Sequence, residues 1–246
     1  MKIELRHLGI KFNYANLNQN DELLNSYTGL PSNSVFQALY NLVKPLNIEY
    51  HLMWSVESIN KEDQIFITLM KWRHNFPHFD LAVRFNSSSA TTTNIVITNY
   101  KHRNTWKALI GIAPNGVVTF VSKLFPGSTS DKVITLKSGL LEQLVPGDLI
   151  LADKGFLIRD ILPPGVSLNI PPFLDTPQFT PDQVVQTETI AKARIHIERA
   201  IQRIKCYSIL DVIPFSMLKQ AESIFQVVAA LTNLQPPLIK EIQTHM

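Results

Sequence analysis

Leu149-Ile-Leu-Ala-Asp153-Lys-Gly-Phe156 sets a carboxylate behind a run of large apolar residues and two places ahead of a glycine. The run is entered through the turn-forming Pro146-Gly-Asp148 and reads as a short buried strand with Asp153 at its end. Open α/β sheets bind ligands at such carboxyl ends. A second acid, Glu198, lies in Ile195-His-Ile-Glu-Arg-Ala200, on a long helical stretch near the C-terminus. An acid at a strand end and another on a facing helix can share divalent ions, which activate water against a phosphodiester. Each acid also has a plainer reading. Asp153 can be a turn residue before Gly155, and Glu198 can pair at i, i+4 with Arg194 or Gln202. The third carboxylate that this chemistry normally wants is not visible.

The chain of 246 residues has room for one α/β domain and a smaller helical one. Its single cysteine, Cys206, excludes an internal disulfide framework and fits a reducing, intracellular compartment. The first 20 residues show no secretory leader, and the most apolar late stretch, 224–231, is too short to span a bilayer. A net charge of +3 permits nucleic-acid binding without demanding it. His74, His78, His102 and His196 have no zinc-type spacing with Cys206.

Four regions are expected: a polar and helical segment over 1–52, a helical region over 53–98, an α/β domain over 99–238 and a tail over 239–246. A helix over 34–43 carries Val35, Phe36, Leu39 and Leu42 on one face. Asn60 and Asp63 form a capping-box pattern ahead of Ile65, Phe66, Leu69 and Met70. A helix over 77–85, stopped by Asn86, is followed by the hydroxyl-rich 87–94, and a third helix is expected over 88–97. Three short helices with tight turns suggest a helix-turn-helix. Its Ser and Thr side chains can reach phosphate or base edges, or can simply pack or line a loop. Ile95-Val-Ile-Thr98 is β-branched throughout, and is expected to be extended and to pair with a strand over 105–112.

From there the sequence predicts strands over 105–112 and 117–121, joined at Asn115-Gly116, where both residues tolerate positive φ. A helix is expected from Ser130-Asp131 through Leu144, with Asp131 explained by the helix dipole. A strand over 166–170 meets the Pro171-Pro172 break. A helix opened by Thr180-Pro181 is expected to reach Cys206 and to bury Ile190, Ile197, Ile201 and Ile204. A last helix over 216–231 is expected to bury Leu218, Phe225, Val228 and Leu231.

Seven segments then stand in an order that is specific: Tyr100-Lys-His-Arg-Asn-Thr105, Gly111-Ile-Ala-Pro-Asn-Gly116, Pro126-Gly-Ser-Thr-Ser-Asp131, Ala152-Asp-Lys-Gly-Phe156, Asn169-Ile-Pro-Pro-Phe173, Arg194-Ile-His-Ile-Glu-Arg-Ala200 and Leu231-Thr-Asn-Leu-Gln-Pro-Pro237. Residues 100–238 thereby resemble the nuclease domain of PIF/Harbinger-type DDE transposases and their domesticated relatives. Residues 53–97 resemble the helix-turn-helix that precedes that domain. The resemblance implies an RNase H-like mixed sheet with helices on both faces. It also implies an acid on the first strand, another at the end of the fourth and a Glu on a late helix. Asp153 matches the second acid and Glu198 the third, which makes them the implied catalytic residues and ligands of a divalent metal, Mg²⁺ or Mn²⁺. Asp131 matches an auxiliary acid outside the catalytic three.

The strand bearing the first acid should precede Tyr100, but Asn94-Ile-Val-Ile-Thr-Asn99 holds no carboxylate. The expectation is therefore an α/β protein with an incomplete RNase H-like mixed sheet and flanking helices, preceded by a small all-α region. The implied function is metal-dependent DNA phosphodiester cleavage or strand transfer, impaired by the missing segment. The rival readings are a non-catalytic DNA- or protein-binding relic and a non-functional fragment. DNA, a protein partner or a second copy of the chain are the implied partners, in the nucleus. Lys101, His102, Arg103, Lys154 and Arg199 read as phosphate neighbours or as solvated charges.

Overall fold

Asn13, Asn20, Ser32 and Asn60 each precede a helix-forming stretch, and each accepts a hydrogen bond from the backbone N–H three residues on. Such caps satisfy a donor that the helix start leaves unpaired. They open α1 (Tyr14–Leu17), α2 (Asp21–Thr28), α3 (Asn33–Val43) and α4 (Lys61–His74). Two shorter helices follow, α5 (His78–Arg84) and α6 (Ser89–Val96). The computed structural model describes residues 12–46, 50, 52–96, 106–153, 155–170 and 194–238. The chain divides into two compact units, Met1–His102 with Arg203–Pro236, and Arg103–Gln202 with Pro237–Met246. No helix among the described residues is long and apolar enough to cross a membrane.

In the first unit the core gathers around α4. Asn60 Oδ1 accepts from the Asp63 N–H at 2.7 Å, one half of the predicted capping box, and the Asp63 carboxylate receives Asn60 Nδ2 at 3.1 Å and the Tyr14 backbone N–H at 2.7 Å. Phe66, Ile67, Leu69 and Met70 are all buried, so α4 is enclosed on more than one face. Phe66 touches a shell of rings: Phe12, Tyr14, Tyr27, Phe36 and Phe85. The predicted face of α3 is shifted. Phe36 and Tyr40 are buried at i, i+4, whereas Leu42 is 72% exposed. Phe36 stacks on Tyr14 at 4.2 Å, and this aromatic contact fixes the rotation of the helix.

Residues late in the chain complete this core. Tyr207, Ile209, Met217 and Val228 are at most 1% exposed. They come from the 3₁₀ turn Ser208–Leu210 and Tyr207 just before it, the 3₁₀ turn Phe215–Gln220 and the helix Ala221–Thr232. Of the residues expected to be buried there, Val228 and Leu231 are, while Leu218 and Phe225 are half-buried and Met217 and Ile224 take their place. The Arg73 guanidinium lies 5.3 Å over the Tyr207 ring, and Asn75 Nδ2 donates to the Val212 carbonyl at 3.0 Å. Gly29 ends α2 at φ 78°, and a Cβ there would meet the Tyr207 hydroxyl at 2.7 Å, so only glycine fits.

α6 corrects one expectation. Ile95 and Val96 are helical rather than extended, while Ile97 and Thr98 lie outside the described residues. Val96 is 4% exposed and Asn94 1%, so tertiary burial overrides the β-branched preference.

Lys71 is buried in this unit, with its ammonium donating to the Phe76 carbonyl at 2.9 Å. Burial pushes its pKa down to about 8. The folded state therefore binds this proton less tightly than the unfolded chain does. The penalty is full below about pH 8 and disappears as pH rises toward the ordinary lysine value. Lys71→Met is expected to raise stability at pH 7 by roughly 1–2 kcal/mol, discounted for residual solvent contact. Denaturant titrations should show that advantage shrinking above pH 8. An advantage that stays constant to high pH would rule out the buried ammonium as its cause.

The second unit carries the strands: β1 (Trp106–Lys107), β2 (Ile110–Ile112), β3 (Val118–Val121), β4 (Phe125–Pro126), β5 (Leu149–Leu151) and β6 (Ser167–Asn169). The predicted strand over 105–112 is thus divided. β1 pairs antiparallel with β4, whereas β2 pairs antiparallel with β3. The β2–β3 hairpin closes through Asn115-Gly116 as expected, with Gly116 at φ 88° and Asn115 Oδ1 accepting from the Val117 N–H. β5 and β6 run parallel, Leu149 opposite Ser167 and Leu151 opposite Asn169. Among the described residues the expected mixed sheet is represented by these three two-stranded pieces.

Ser130 caps α7 (Asp131–Lys137), which ends well before Leu144. Gly139 turns the chain at φ 82°, and only a short 3₁₀ turn, Leu141–Gln143, follows. β5 is also less buried than its sequence suggests, with Leu149 59% exposed. Helix covers residues 194–205, and the expected start at Thr180-Pro181, with Ile190, lies outside the described residues. On that helix Ala200 and Ile204 are buried, while Ile197 and Ile201 are half-buried.

Candidate active site

β5 delivers Asp153. The Ala152 N–H donates to the Asn169 carbonyl at 3.1 Å, which carries the parallel pairing one residue beyond the strand. The chain then turns, the Phe156 N–H closing on the Asp153 carbonyl at 2.9 Å, and nothing lies within 4 Å of a Cβ built on Gly155. The Asp153 side chain is 69% exposed.

The helix over 194–205 brings the second acid. Arg194 Nη1 lies 3.5 Å from Asp153 Oδ1, and Arg194 Nη2 lies 3.9 Å from Glu198 Oε1. One guanidinium thus faces both carboxylates, which puts them within about 10 Å of each other across its planar fork. The i, i+4 half of this arrangement is legible in the sequence. The Asp153 half depends on the fold. Exposed pairs at such distances contribute under about 1 kcal/mol, so the guanidinium biases the acids without locking them.

Asp131 has a different neighbour. It stands in the first turn of α7 and pairs with Lys107 Nζ at 3.5 Å, and that ammonium also donates to the Thr129 carbonyl. Close by in sequence, Lys132 pairs with Asp160. Arg199 is exposed on the helix that carries Glu198. Lys101, His102, Arg103 and Lys154 lie outside the described residues. His196 Nδ1 is buried with no hydrogen-bond partner among the described residues, two residues from both Arg194 and Glu198 and so off their face of the helix.

A divalent ion of the Mg²⁺ type needs several oxygen ligands at about 2.0–2.1 Å. Carboxylates are the right donors for it. Among the described residues, however, no group of three potential ligand side chains exists, and a guanidinium faces both acids. Among the described residues the two acids therefore stand beside a guanidinium without a third carboxylate.

In the helical unit, α4, α5 and α6 succeed one another with tight turns, Asn75 at φ 51° and Asn86 at φ 48°. The hydroxyls of α6 are largely committed to the protein. Thr92 Oγ1 donates to the His78 carbonyl at 3.0 Å, Thr91 meets Ser88 at 2.8 Å, and Thr93 meets His78 Nδ1 at 2.9 Å. Burial, helped by the neighbouring Lys71 charge, pushes His78 down to about 4, so the ring is neutral near pH 7. Asn94 bonds both to the Leu52 N–H and to the Trp54 carbonyl. Ser88, Ser89 and Ala90 are the exposed residues at the start of this helix.

Residues 85–233 match the family model described as DDE superfamily endonuclease. Residues 58–97 match a second model, the helix-turn-helix of DDE superfamily endonuclease. No curated protein and no solved structure matches the chain.

Proposed function

The chain belongs to the DDE superfamily endonuclease family, and from that membership we propose that it is a transposase-derived DNA-binding protein whose phosphodiester cleavage is impaired. The motifs around Asp153, Glu198 and Asp131 favour the PIF/Harbinger branch. Nuclear residence, and assembly with a second copy or another protein, belong to the same reading. DDE endonuclease domains use divalent metals, and Asp153 and Glu198 are the acids that this chain would offer one.

One observation that supports the impairment is Arg194 facing both acids, as a bias on their charge rather than a lock. A second supports it: no Asp or Glu occurs between Asn94 and Trp106, so the helix-turn-helix runs into β1 without a third acid. Two carboxylates beside a guanidinium leave little net negative charge to hold a dication.

Incubation of supercoiled plasmid with the protein and Mg²⁺ or Mn²⁺ is expected to give no nicking above background. Binding to a labelled duplex is expected to weaken steeply with salt, because phosphate contacts release counterions. Robust metal-dependent nicking, abolished by Asp153→Ala, would overturn the impairment.

The charge argument makes a separate expectation. Arg194→Gln should tighten Mn²⁺ binding by about three- to tenfold, read by electron paramagnetic resonance, since one positive charge is removed a few ångströms from the ion. Adding Asp153→Asn should reverse the gain. Unchanged Mn²⁺ affinity in Arg194→Gln would mean that the guanidinium does not compete for the acids.

A further inference from the structure

Leu52, Met53 and Trp54 form the tip of the loop ahead of α4, and they are exposed by 41%, 92% and 41%. Three large apolar side chains in a row on the surface are unusual enough to need a cause. The tip is also held rather than loose. Asn94, 1% exposed on α6, accepts from the Leu52 N–H at 2.6 Å and donates to the Trp54 carbonyl at 2.8 Å. The Met53 N–H closes a turn on the Tyr50 carbonyl at 3.0 Å. From the α4 side, Gln64 accepts from the Tyr50 hydroxyl and donates to the carbonyls of Val56 and Ile59.

Met53 sits at φ 62°, a conformation that costs energy for any residue with a Cβ and that persists only where its surroundings impose it. Two buried amides therefore hold a strained turn whose visible product is an apolar tip. The tip is fastened to the third helix of the helix-turn-helix, the element that enters a DNA groove in this motif. Ala90, one turn before Asn94 on the same side of that helix, is exposed.

α6 alone is poorly equipped as a reading helix. Its sequence, Ser89-Ala-Thr-Thr-Thr-Asn-Ile-Val96, has no charged residue, and Thr91, Thr92, Thr93 and Asn94 bond within the protein. Contact energy must come from beside it. We propose that Leu52-Met53-Trp54 is a second DNA-contacting element, an apolar wedge that packs against a base step next to α6, with Trp54 offering a stacking face. This rests on the DNA-binding reading above and specifies how binding is achieved. Apolar wedges of Met and Leu, and stacking on Trp, are established ways for a protein to meet bases without charge.

The test uses the full chain and fluorescence anisotropy with a labelled duplex of arbitrary sequence and the same duplex carrying one mismatch. The wild type is expected to prefer the mismatched duplex, because a base step already loosened costs less to open. Met53→Gly, which tolerates the positive φ while removing the side chain, and Trp54→Ala are each expected to weaken binding about tenfold. They should also abolish the preference for the mismatch. The slope of affinity against salt should stay the same, since no phosphate contact is lost.

Thermal melts of both variants within a few degrees of wild type establish that the fold is retained. Should Trp54→Ala melt early, Met53→Gly alone decides. Wild-type binding that neither variant changes overturns the wedge and leaves the DNA reading standing. If the variants instead abolish self-association seen by sedimentation, the tip is a protein contact, which also overturns it. A wild type that binds neither duplex overturns the DNA reading and the wedge together.

Discussion

A chain ending at residue 202 is expected to lose the cooperative melting of its helical unit. Tyr207, Ile209, Met217, Ile224, Val228 and Leu231 are all at most 3% exposed, and each packs into the unit that Met1–His102 begins. Losing one large buried apolar side chain typically costs about 2–5 kcal/mol, and a domain's whole stability is about 5–15 kcal/mol. Removing all six exceeds that margin, and Gly29, the Arg73 side chain and Asn75 would lose their partners as well. Circular dichroism of residues 1–202 should show a broad, uncooperative melt with dye-accessible apolar surface. Supplying residues 203–246 as a separate polypeptide should restore a sharp transition. A truncated chain that melts like the full protein would show that the C-terminal segment only decorates the unit. The matched nuclease region runs to residue 233, so its last part serves the core of the unit that also holds the matched helix-turn-helix.

What was legible in the sequence is what local chemistry decides. The caps at Asn60 and Ser130 and the Asn115-Gly116 turn rest on side chains bonding within three residues. They form as read. Features set by distant packing were not legible. The rotation of α3 follows Tyr14, 22 positions before Phe36, and it buries Tyr40 and leaves Leu42 exposed, which no local pattern decides. Ile95 and Val96 prefer strand, but α6 buries Val96 and clamps Asn94 to a loop 40 residues away. The helix after Ser130 stops seven residues short of Leu144 because the chain turns at Gly139, whose φ of 82° the helix cannot hold.

The candidate site divides in the same way. Asp153 and Glu198 stand out by motif, and the Arg194–Glu198 spacing is visible along one helix. That the same guanidinium also reaches Asp153 requires the turn after β5 and the helix over 194–205 to meet, which no spacing reveals. The strained apolar tip at Met53 is likewise a product of long-range bonds, since Asn94, which holds Leu52 and Trp54 on either side of it, lies about 40 residues on. Long-range bonds thus set the charge between the acids and the apolar surface beside α6.

Phe66→Ala is expected to be the most damaging single substitution in the helical unit. Phe66 is 0% exposed, and five rings surround it, with centroids from 5.9 Å for Phe85 to 6.4 Å for Phe36. Truncating a buried Phe costs about 3–5 kcal/mol, because transfer energy is lost and the cavity does not fully collapse. A shell of planar rings collapses badly, since each is already held edge-on or stacked by others, as Tyr14 is on Phe36. The loss should therefore fall at the upper end of that range in urea titrations. Phe66→Leu keeps most of the volume and should cost about half as much. Leu42→Ala, on the exposed side of α3, serves as the control and should stay within about 0.5 kcal/mol. A Phe66→Ala chain as stable as that control would mean that α4 is not the centre of this core. The expected result would instead tie the helix-turn-helix to the N-terminal helices, because Phe66 of α4 touches Phe12, Tyr14, Tyr27 and Phe36 as well as Phe85, just after α5, which itself packs on Phe12.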